Sequence, residues 1–315
     1  MDKMILQEVI ECLPEDRTLF YYFKERYALM LLSTYVGEGK TVSELKKGPF
    51  ASLLNRQSVK ALLANGGNWI DRDMLEVLWD DSTMPFVLTV GEWGGGELDW
   101  QQTSRSGYNL VLQLNFSNQH QSEYHELVKP DYHGVLNNYG HPVQREGQRG
   151  YSRETLAWAR IDLDFFNDQA LIEEIQSDWL REAAIMGLDA RHCMERDDES
   201  FPWWNVDGKV ADILRYVEQV LSPYQAIWAE AMLAAAIYFI RHELGIGSIY
   251  YHTHDTGYKV KRMRYSRPPR SLYSDLPRRF CFKKTGIAPE FLQADKQFRR
   301  VYKKVSQPSW YVMQL

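Results

Sequence analysis

Residues 222–245 read SPYQAIWAEAMLAAAIYFIRHELG and carry the strongest helix signal in the chain. Ser222 is suited to cap the helix, Pro223 sits in its first turn, and Gly245 follows its last periodic residue. Residues 231–240 are apolar on every side, so this helix must be buried all round. The sequence therefore predicts a central helix inside a larger α/β or α+β domain.

Upstream of this helix, the pattern of apolar residues changes to one typical of β-strands. Four β-rich runs, PFVLTVGEW, YNLVLQLNFS, ETLAWARIDLDF and ALIEEIQSDW, lie between residues 85 and 179. Short connections between them, such as the turn at Asn167-Asp168, favour an antiparallel meander. After the helix come the strand GSIYYHTHD and then, in SLYSDLPRRFCFKKT, a helical turn and a final strand. We therefore predict an α+β fold with a mixed, mostly antiparallel sheet.

Two regions are expected along the chain. Apolar residues recur at helical spacing in TLFYYFKERYALMLLSTY, SVKALLANGG and DRDMLEVLWDD, which predicts a helical N-terminal region over residues 1–82. Residues 83–315 would form the α/β domain. Within it, residues 117–152 are rich in His, Asn, Gly and Gln and predict a long insertion, and loops of that length are usually functional or flexible.

The composition excludes several classes of protein. Hydrophobic residues make up 44% of the chain and charged residues 25%, which is typical of a folded globular protein rather than a disordered one. The 3 cysteines form no CxxC pair, which supports neither a disulfide framework nor a structural zinc site. No apolar run approaches the length of a membrane span. A cytoplasmic protein without a membrane partner is the resulting expectation.

Charge is distributed unevenly along the chain. The net charge is −5, but residues 256–304, here called the basic segment, contain 15 Lys and Arg against 3 Asp and Glu. Such a segment on an acidic body indicates a phosphate-bearing partner, either a small molecule or a nucleic acid. The alternative is a basic face packed against the protein's own acidic surface.

The element order resembles the GNAT acyltransferase fold, in which an antiparallel meander leads to a long helix, a fifth strand, a helix and a last strand. Leu272-Tyr273 and Phe280-Cys281-Phe282 imitate the family's LYxxxGF motif, and ELGIGSIYYHT imitates its helix-to-strand turn. The resemblance implies an acyl-CoA or another phosphate-bearing donor. The family's glycine-rich pyrophosphate loop is absent, and residues 180–221 stand in its place. Either the donor is bound differently, as in relatives that use other acyl or aminoacyl donors, or cofactor function is lost.

A second resemblance concerns residues 150–260. The string LIEEIQSDW, with WARID upstream and a Trp-led helix downstream, is similar to a domain of very large multidomain proteins of phages and conjugative elements. This likeness implies a link to mobile elements and no particular chemistry.

The acidic strand supplies the first candidate site. Alternation along a strand puts Glu174, Gln176 and Asp178 on one face. Glu174 and Asp178 could then divide the roles of general base and orienting group, or hold a cation. The alternative is a solvated face or a charged edge strand.

Histidines end the fifth predicted strand. His252, His254 and Asp255 could ligate a metal, although a structural or hydrogen-bonded role is the stronger interpretation.

The basic stretch KVKRMRYSRPPR supplies candidate phosphate ligands. We expect Lys259, Lys261, Arg262 and Arg264 to hold the donor phosphates, since such cations suit phosphate oxygens. The GNAT resemblance implies that Tyr273 protonates the leaving group, and ordinary packing is the alternative for that residue.

Three functions remain open at this point. The first is an acyl- or aminoacyl-transferase in which Glu174 or Asp178 deprotonates an amine acceptor. The second is a protein of a phage or mobile-element conflict system that binds nucleic acid or processes it with a metal. The third is a catalytically inactive interaction module. The oligomeric state is not predicted.

Overall fold

The computed structural model describes residues 1–13, 18–77, 79–95, 102–138, 140–144, 153–198, 200–263 and 268–315, with only the backbone of residue 65. Within these residues the strands are β1 (Thr18–Tyr22), β2 (Lys40–Thr41), β3 (Trp69–Ile70), β4 (Met84–Gly94), β5 (Tyr108–Asn115), β6 (Thr155–Asp164), β7 (Gln169–Gln176), β8 (Ser248–His252), β9 (Lys283–Thr285) and β10 (Trp310–Gln314).

Helices lie before, between and after these strands along the chain. They are α1 (Lys3–Cys12), α2 (Arg26–Val36), α3 (Val42–Leu45), α4 (Gln57–Gly66), α5 (Arg72–Glu76), α6 (Asn118–Leu127), α7 (Asp178–Glu195), α8 (Val210–Arg215), α9 (Ser222–Tyr238), α10 (His254–Val260), α11 (Arg270–Arg279), α12 (Glu290–Ala294) and α13 (Lys296–Tyr302). A 3-10 turn spans Ala51–Asn55, and π-helical turns at Tyr216–Val220 and Phe239–Glu243 extend α8 and α9.

Eight strands form one sheet in the order β1-β4-β5-β6-β7-β8-β10-β9. Strands β7 and β8 run parallel, and every other neighbouring pair in this sheet is antiparallel. A parallel pair requires a crossover, which α7, α8 and α9 supply. The α+β fold with a mixed, mostly antiparallel sheet is confirmed.

The predicted central helix is α9, which packs against β5, β6 and β7. Its buried residues include Ile227, Met232 and Leu233, and burying each such side chain stabilises the fold by about 1.5–3 kcal/mol. Ser222 makes no capping hydrogen bond, contrary to the prediction, because the π-helical turn before it runs into α9 at a 45° bend.

The other face of the sheet is covered near β7, β8 and β10. Leu171 and Trp310 point to this face and pack with Val260, Leu292 and Phe298 from α10, α12 and α13. Their strand neighbours belong to the main core beneath α9, as alternation along a strand requires. The β7–β8 pair therefore lies between two helical layers.

The N-terminal region contributes a strand as well as helices. Residues 18–22 were expected to be helical, but they form β1 and pair with β4 at the edge of the sheet. Phe20 and Tyr22 are buried and Leu19 is exposed, which is the period of a strand. Pairing with β4 overrides the helical spacing of the surrounding sequence.

Two further elements were missed. Helix α6 lies inside the predicted insertion 117–152, where Ser117 caps it and His120, Tyr124 and Leu127 form its buried face. Strand β10 inserts between β8 and β9. Cys281 was expected in the last strand, but with a φ of 64° it lies in the turn before β9.

Among the described residues, no single helix is both long and apolar enough to cross a membrane, and only the bent pair Val210–Val220 and Ser222–Glu243 meets that test when its two parts are joined.

Candidate functional site

The parallel pair β7–β8 opens partway along its length. It is paired from Gln169 and Ser248 as far as Ile172 and Tyr251. The register between β6 and β7 then shifts, so that Glu173 is an extra residue in β7. A bulge of this kind bends a strand and leaves one residue unpaired. We call the gap between β7 and β8 beyond Ile172 and Tyr251 the fork.

A buried glutamate, histidine and serine meet at the fork. Ser104 donates from its backbone N–H at 3.0 Å and from its hydroxyl at 2.8 Å to the Glu173 carboxylate, and His252 Nε2 lies 2.9 Å from both groups. Because the serine and the carboxylate both lie at Nε2, this is not the geometry of a catalytic triad, in which the acid binds Nδ1. The cluster ties β7 to β8.

Electrostatics keep Glu173 ionised. Burial raises the pKa of its carboxyl, but the hydrogen bond and charge of His252, with Lys261 and the Ser104 amide, bring it down to about 2. Burial lowers the pKa of His252, and the hydrogen bond and charge of Glu173 oppose that effect. Because an ionised carboxylate only accepts hydrogen bonds, Nε2 is the donor in this contact.

A second buried network surrounds Glu174. Lys261 Nζ donates at 3.0 Å to the carbonyl oxygen of Glu173 and lies 3.4 Å from Glu174 Oε2, to which Arg160 also donates. Burial lowers the pKa of Lys261, and the charge of Glu174 raises it. Burial raises the pKa of Glu174, but Lys261 and Arg160 hold it below its usual range. Lys261 therefore occupies the fork, satisfying the carbonyl that the bulge frees.

Two buried phenols close the fork. Tyr273 lies on α11, its ring 5.5 Å from that of Tyr251 and 5.6 Å from Lys261 Nζ. Within the described residues neither hydroxyl has a hydrogen-bond partner. Burial, and then the charge of Glu174, raise the pKa of Tyr273 well above its ordinary value, so it stays protonated. Buried hydroxyls are normally paired, so these two are available to a water or a ligand atom.

A histidine and an aspartate form a second cluster where β7 ends. Ser177 caps α7, and Asp178 is the first residue of that helix rather than part of the strand. Both Asp178 oxygens lie 2.8 Å from His141 Nδ1. Trp158 Nε1 at 3.0 Å and Arg181 Nη2 at 2.7 Å also donate to the carboxylate.

This arrangement orients the imidazole of His141. Burial raises the pKa of Asp178, but the hydrogen bond and charge of His141, with Trp158 and Arg181, hold it below its usual range. The His141 side chain is 29% exposed, whereas that of Asp178 is fully buried. A carboxylate bound to Nδ1 fixes the tautomer and leaves Nε2 to accept a proton.

The two clusters share one face of the sheet. Glu174 and Gln176 are paired with Arg160 and Trp158, as the alternation predicted. Asp178 lies at the start of the helix and accepts a hydrogen bond from Gln176 Nε2 at 2.6 Å. The Trp158 ring lies 5.6 Å from His141 and 6.0 Å from the Arg160 guanidinium. Glu174 and Tyr273 thus meet at the fork through Lys261, and Asp178 belongs to the adjoining cluster.

The predicted phosphate ligands differ in their exposure and in the groups that they contact. Lys259 is half-buried on α10, 5.8 Å from the ring of Tyr258, and Arg262 lines a narrow crevice with Gln297. Lys261 is only 1% exposed inside the fork. Arg264 lies outside the described residues.

The predicted histidine pair is also divided. His252 binds Glu173 in the fork, and His254 Nδ1 lies 3.1 Å from Asp255 on α10. In the part of the chain that the structure describes, no three His, Cys, Asp or Glu side chains are placed to hold a metal ion.

Sequence reasoning missed Ser104, His141 and Arg160. Arg160 had a signal, because it is a charge in the middle of the apolar run ETLAWARIDLDF. His141 lies in the segment 117–152, whose composition did not single it out. Nothing near Ser104 points to a site.

Comparison of the chain with models of protein families, with curated proteins and with solved structures finds no match.

Proposed function

We propose that this chain is a cytoplasmic, GNAT-like acyl- or aminoacyl-transferase that moves a group from a phosphate-bearing donor to an amine. The observation that carries this proposal is the fork. The parallel pair of the sheet opens beyond Ile172, and an unpaired phenol on Tyr273 lies at the opening. The oriented imidazole of His141 belongs to the adjoining cluster, which contacts Arg160 of the fork through Trp158. The order of strands and helices around it supports the same class.

The residues divide the reaction as follows. His141 accepts a proton from the ammonium of the acceptor, since an ammonium cannot attack a carbonyl, and Asp178 stabilises the imidazolium. The amine nitrogen then bonds to the acyl carbon as the bond from that carbon to the donor breaks. The imidazolium gives its proton to the leaving group. The imidazole, neutral again, then takes the second proton from the nitrogen of the new amide and releases it to solvent. Tyr273, whose pKa is raised, donates a hydrogen bond rather than a proton.

Glu174 takes a supporting role in this scheme. Its pKa is lowered and its carboxylate is bound by Arg160 and Lys261, so it is a poor base at neutral pH. Donor phosphates would instead be held by Lys259 and Arg262, the more accessible cations beside the fork.

The test compares His141→Gln with wild type. Acetyl-CoA and an aminoacyl-tRNA serve as donors and spermidine as the acceptor, with binding measured by calorimetry and transfer by product release. We expect transfer to fall about 10²–10⁴-fold, the usual contribution of a general base, with donor binding unchanged. His125→Gln, which changes an exposed histidine on α6, is the control. Failure of both donors to bind, or equal rates in wild type and His141→Gln, would contradict the proposal.

A second candidate, nucleic-acid binding, is favoured by one observation. Seven exposed cations on β9, α13 and the turn after it make no ion pair with any described residue: Lys283, Lys284, Lys296, Arg299, Arg300, Lys303 and Lys304. They are therefore not neutralised by the protein's own acidic surface, and clustered cations of this kind bind phosphate backbones.

Salt dependence tests this candidate. We expect the affinity for a duplex oligonucleotide to fall steeply with salt, and Arg299→Gln with Lys303→Gln to flatten that slope. Lys46→Gln with Lys47→Gln, exposed cations that follow α3, is the control pair. A chain that binds neither nucleic acid nor a donor would be the inactive interaction module.

A further inference from the structure

A cavity of about 520 Å³ lies away from the fork, between β1, α2, α5 and the C-terminal end of α9. Its volume falls within the roughly 300–1,000 Å³ of small-molecule sites. It shares no lining residue with the fork or with the His141–Asp178 pair. A ligand here would therefore be bound independently of the proposed transfer reaction.

The floor of the cavity is apolar. Most of its buried lining side chains are apolar, among them Phe20, Leu29, Leu75, Ala234 and Ile237, and the buried polar groups are the hydroxyls of Tyr27 and Ser33. Such a floor favours the hydrocarbon part of a ligand, because contact removes apolar surface from water.

The rim is cationic. Arg26, Arg72 and Arg241 line it, against a single acidic side chain, Glu76. Glu76 already accepts a hydrogen bond from Ser33 at 2.8 Å and lies 3.9 Å from Arg72. Arg26 and Arg241 have neither an ion pair nor a hydrogen bond within the described residues.

Local backbone geometry points to the same place. The turn Phe239–Glu243 at the end of α9 is π-helical, and Tyr238, Arg241 and His242 from this turn and its first cap line the cavity. Single π turns are uncommon and are frequently found at functional sites. Beside the cavity, Arg26 lies 5.9 Å from the ring of Trp79, an exposed tryptophan.

We propose that this cavity binds a small amphipathic carboxylate. The apolar body occupies the floor, and the carboxylate is bound by the unpaired guanidinium groups of the rim, whose planar forks match its geometry. Glu76 in the same wall repels a second negative charge, so a monoanion fits better than a phosphate dianion.

Calorimetry with three probes of matched chain length tests the proposal: decanoate, decanol and decyl phosphate. Decanol is used below its solubility limit, and the two anions are used below their critical micelle concentrations. We expect decanoate to bind saturably and at least about tenfold more tightly than decanol, as a charge-assisted hydrogen bond provides. Equal binding of the acid and the alcohol, tighter binding of the phosphate ester, or no saturable binding of decanoate would overturn the proposal.

Two variants locate the site. Arg26→Gln with Arg241→Gln should weaken decanoate at least about tenfold and leave decanol binding unchanged, which also shows that the variant is folded. Ala234→Leu should abolish the binding of both decanoate and decanol, because the larger side chain would occupy the apolar floor of the cavity. Lys60→Gln, an exposed cation of α4 outside the cavity, should change neither. Unaltered decanoate affinity in the arginine variant or in Ala234→Leu would refute the assignment.

Discussion

Replacing Lys261 with methionine removes a buried cation while keeping most of its volume. The change leaves the Glu173 carbonyl oxygen without its 3.0 Å donor and leaves Glu174 with Arg160 as its remaining cation. An orphaned buried acceptor costs about 1–3 kcal/mol, and breaking a buried ion pair from one side costs about 3–5 kcal/mol. The two losses overlap, so we expect the free energy of unfolding to fall by about 3–5 kcal/mol.

Urea unfolding followed by far-UV circular dichroism measures this loss. Lys259→Met is the matched control, because Lys259 is half-buried and makes no ion pair with a described residue, and it should change stability by less than about 0.5 kcal/mol. A Lys261→Met variant as stable as Lys259→Met would refute our account of the fork. That result would instead be expected if Lys261 served only to bind a donor phosphate.

A double variant separates the ion pair from the other contacts. If Lys261 and Glu174 are coupled, Lys261→Met with Glu174→Gln should cost less than the sum of the single changes, by about 0.5–3 kcal/mol. If the losses in the free energy of unfolding of the two single variants simply add, the 3.4 Å contact between Lys261 Nζ and Glu174 Oε2 does not stabilise the fold.

Three further outcomes are expected. Burial lowers the pKa of His120 to about 3, below the roughly 6.5 of a histidine in an unfolded chain. The unfolded state therefore binds the proton first, and the free energy of unfolding falls as the pH drops from 6.5 toward 3. In urea titrations at a series of acidic pH values, His120→Phe should remove up to about 1.4 kcal/mol per pH unit of that decline. Gly257→Ala should destabilise the protein in thermal melts although alanine favours helices, because its Cβ would lie 2.9 Å from His252 Cβ; a raised Tm would contradict this. Asp178→Asn should lower acyl transfer about 10²–10⁴-fold without changing the Tm by more than a few degrees, and an unaltered rate would remove Asp178 from the mechanism.

Most of the sheet could be predicted from local patterns. The runs that became β4 to β8 are rich in β-branched and aromatic residues, and the apolar helix before β8 requires a crossover. Strand β1 could not be found this way, because its helical spacing is overridden by pairing with β4, more than sixty residues away. Strand β10 follows a long polar stretch, and only its place between β8 and β9 makes it a strand.

The candidate site was predicted in part. The carboxylates were found, since acidic groups in an apolar strand are conspicuous, and Glu174 does meet Tyr273 across Lys261. The role of Lys261 was missed because a run of cations resembles a phosphate site whether it is exposed or buried. His141 reaches Asp178 from a loop 37 residues away, a distance that no spacing rule along the chain can bridge.

The position of β10 bears on how the protein is made. Strand β8 is complete at His252 and β9 at Thr285, yet neither can join the other, since Trp310–Gln314 must lie between them. While the ribosome adds the intervening residues, one side of β8 stays open to any passing strand. The open side of β8 is therefore covered only after residues 310–314 have been synthesised, and chaperone capture of stalled nascent chains should be strongest before that point.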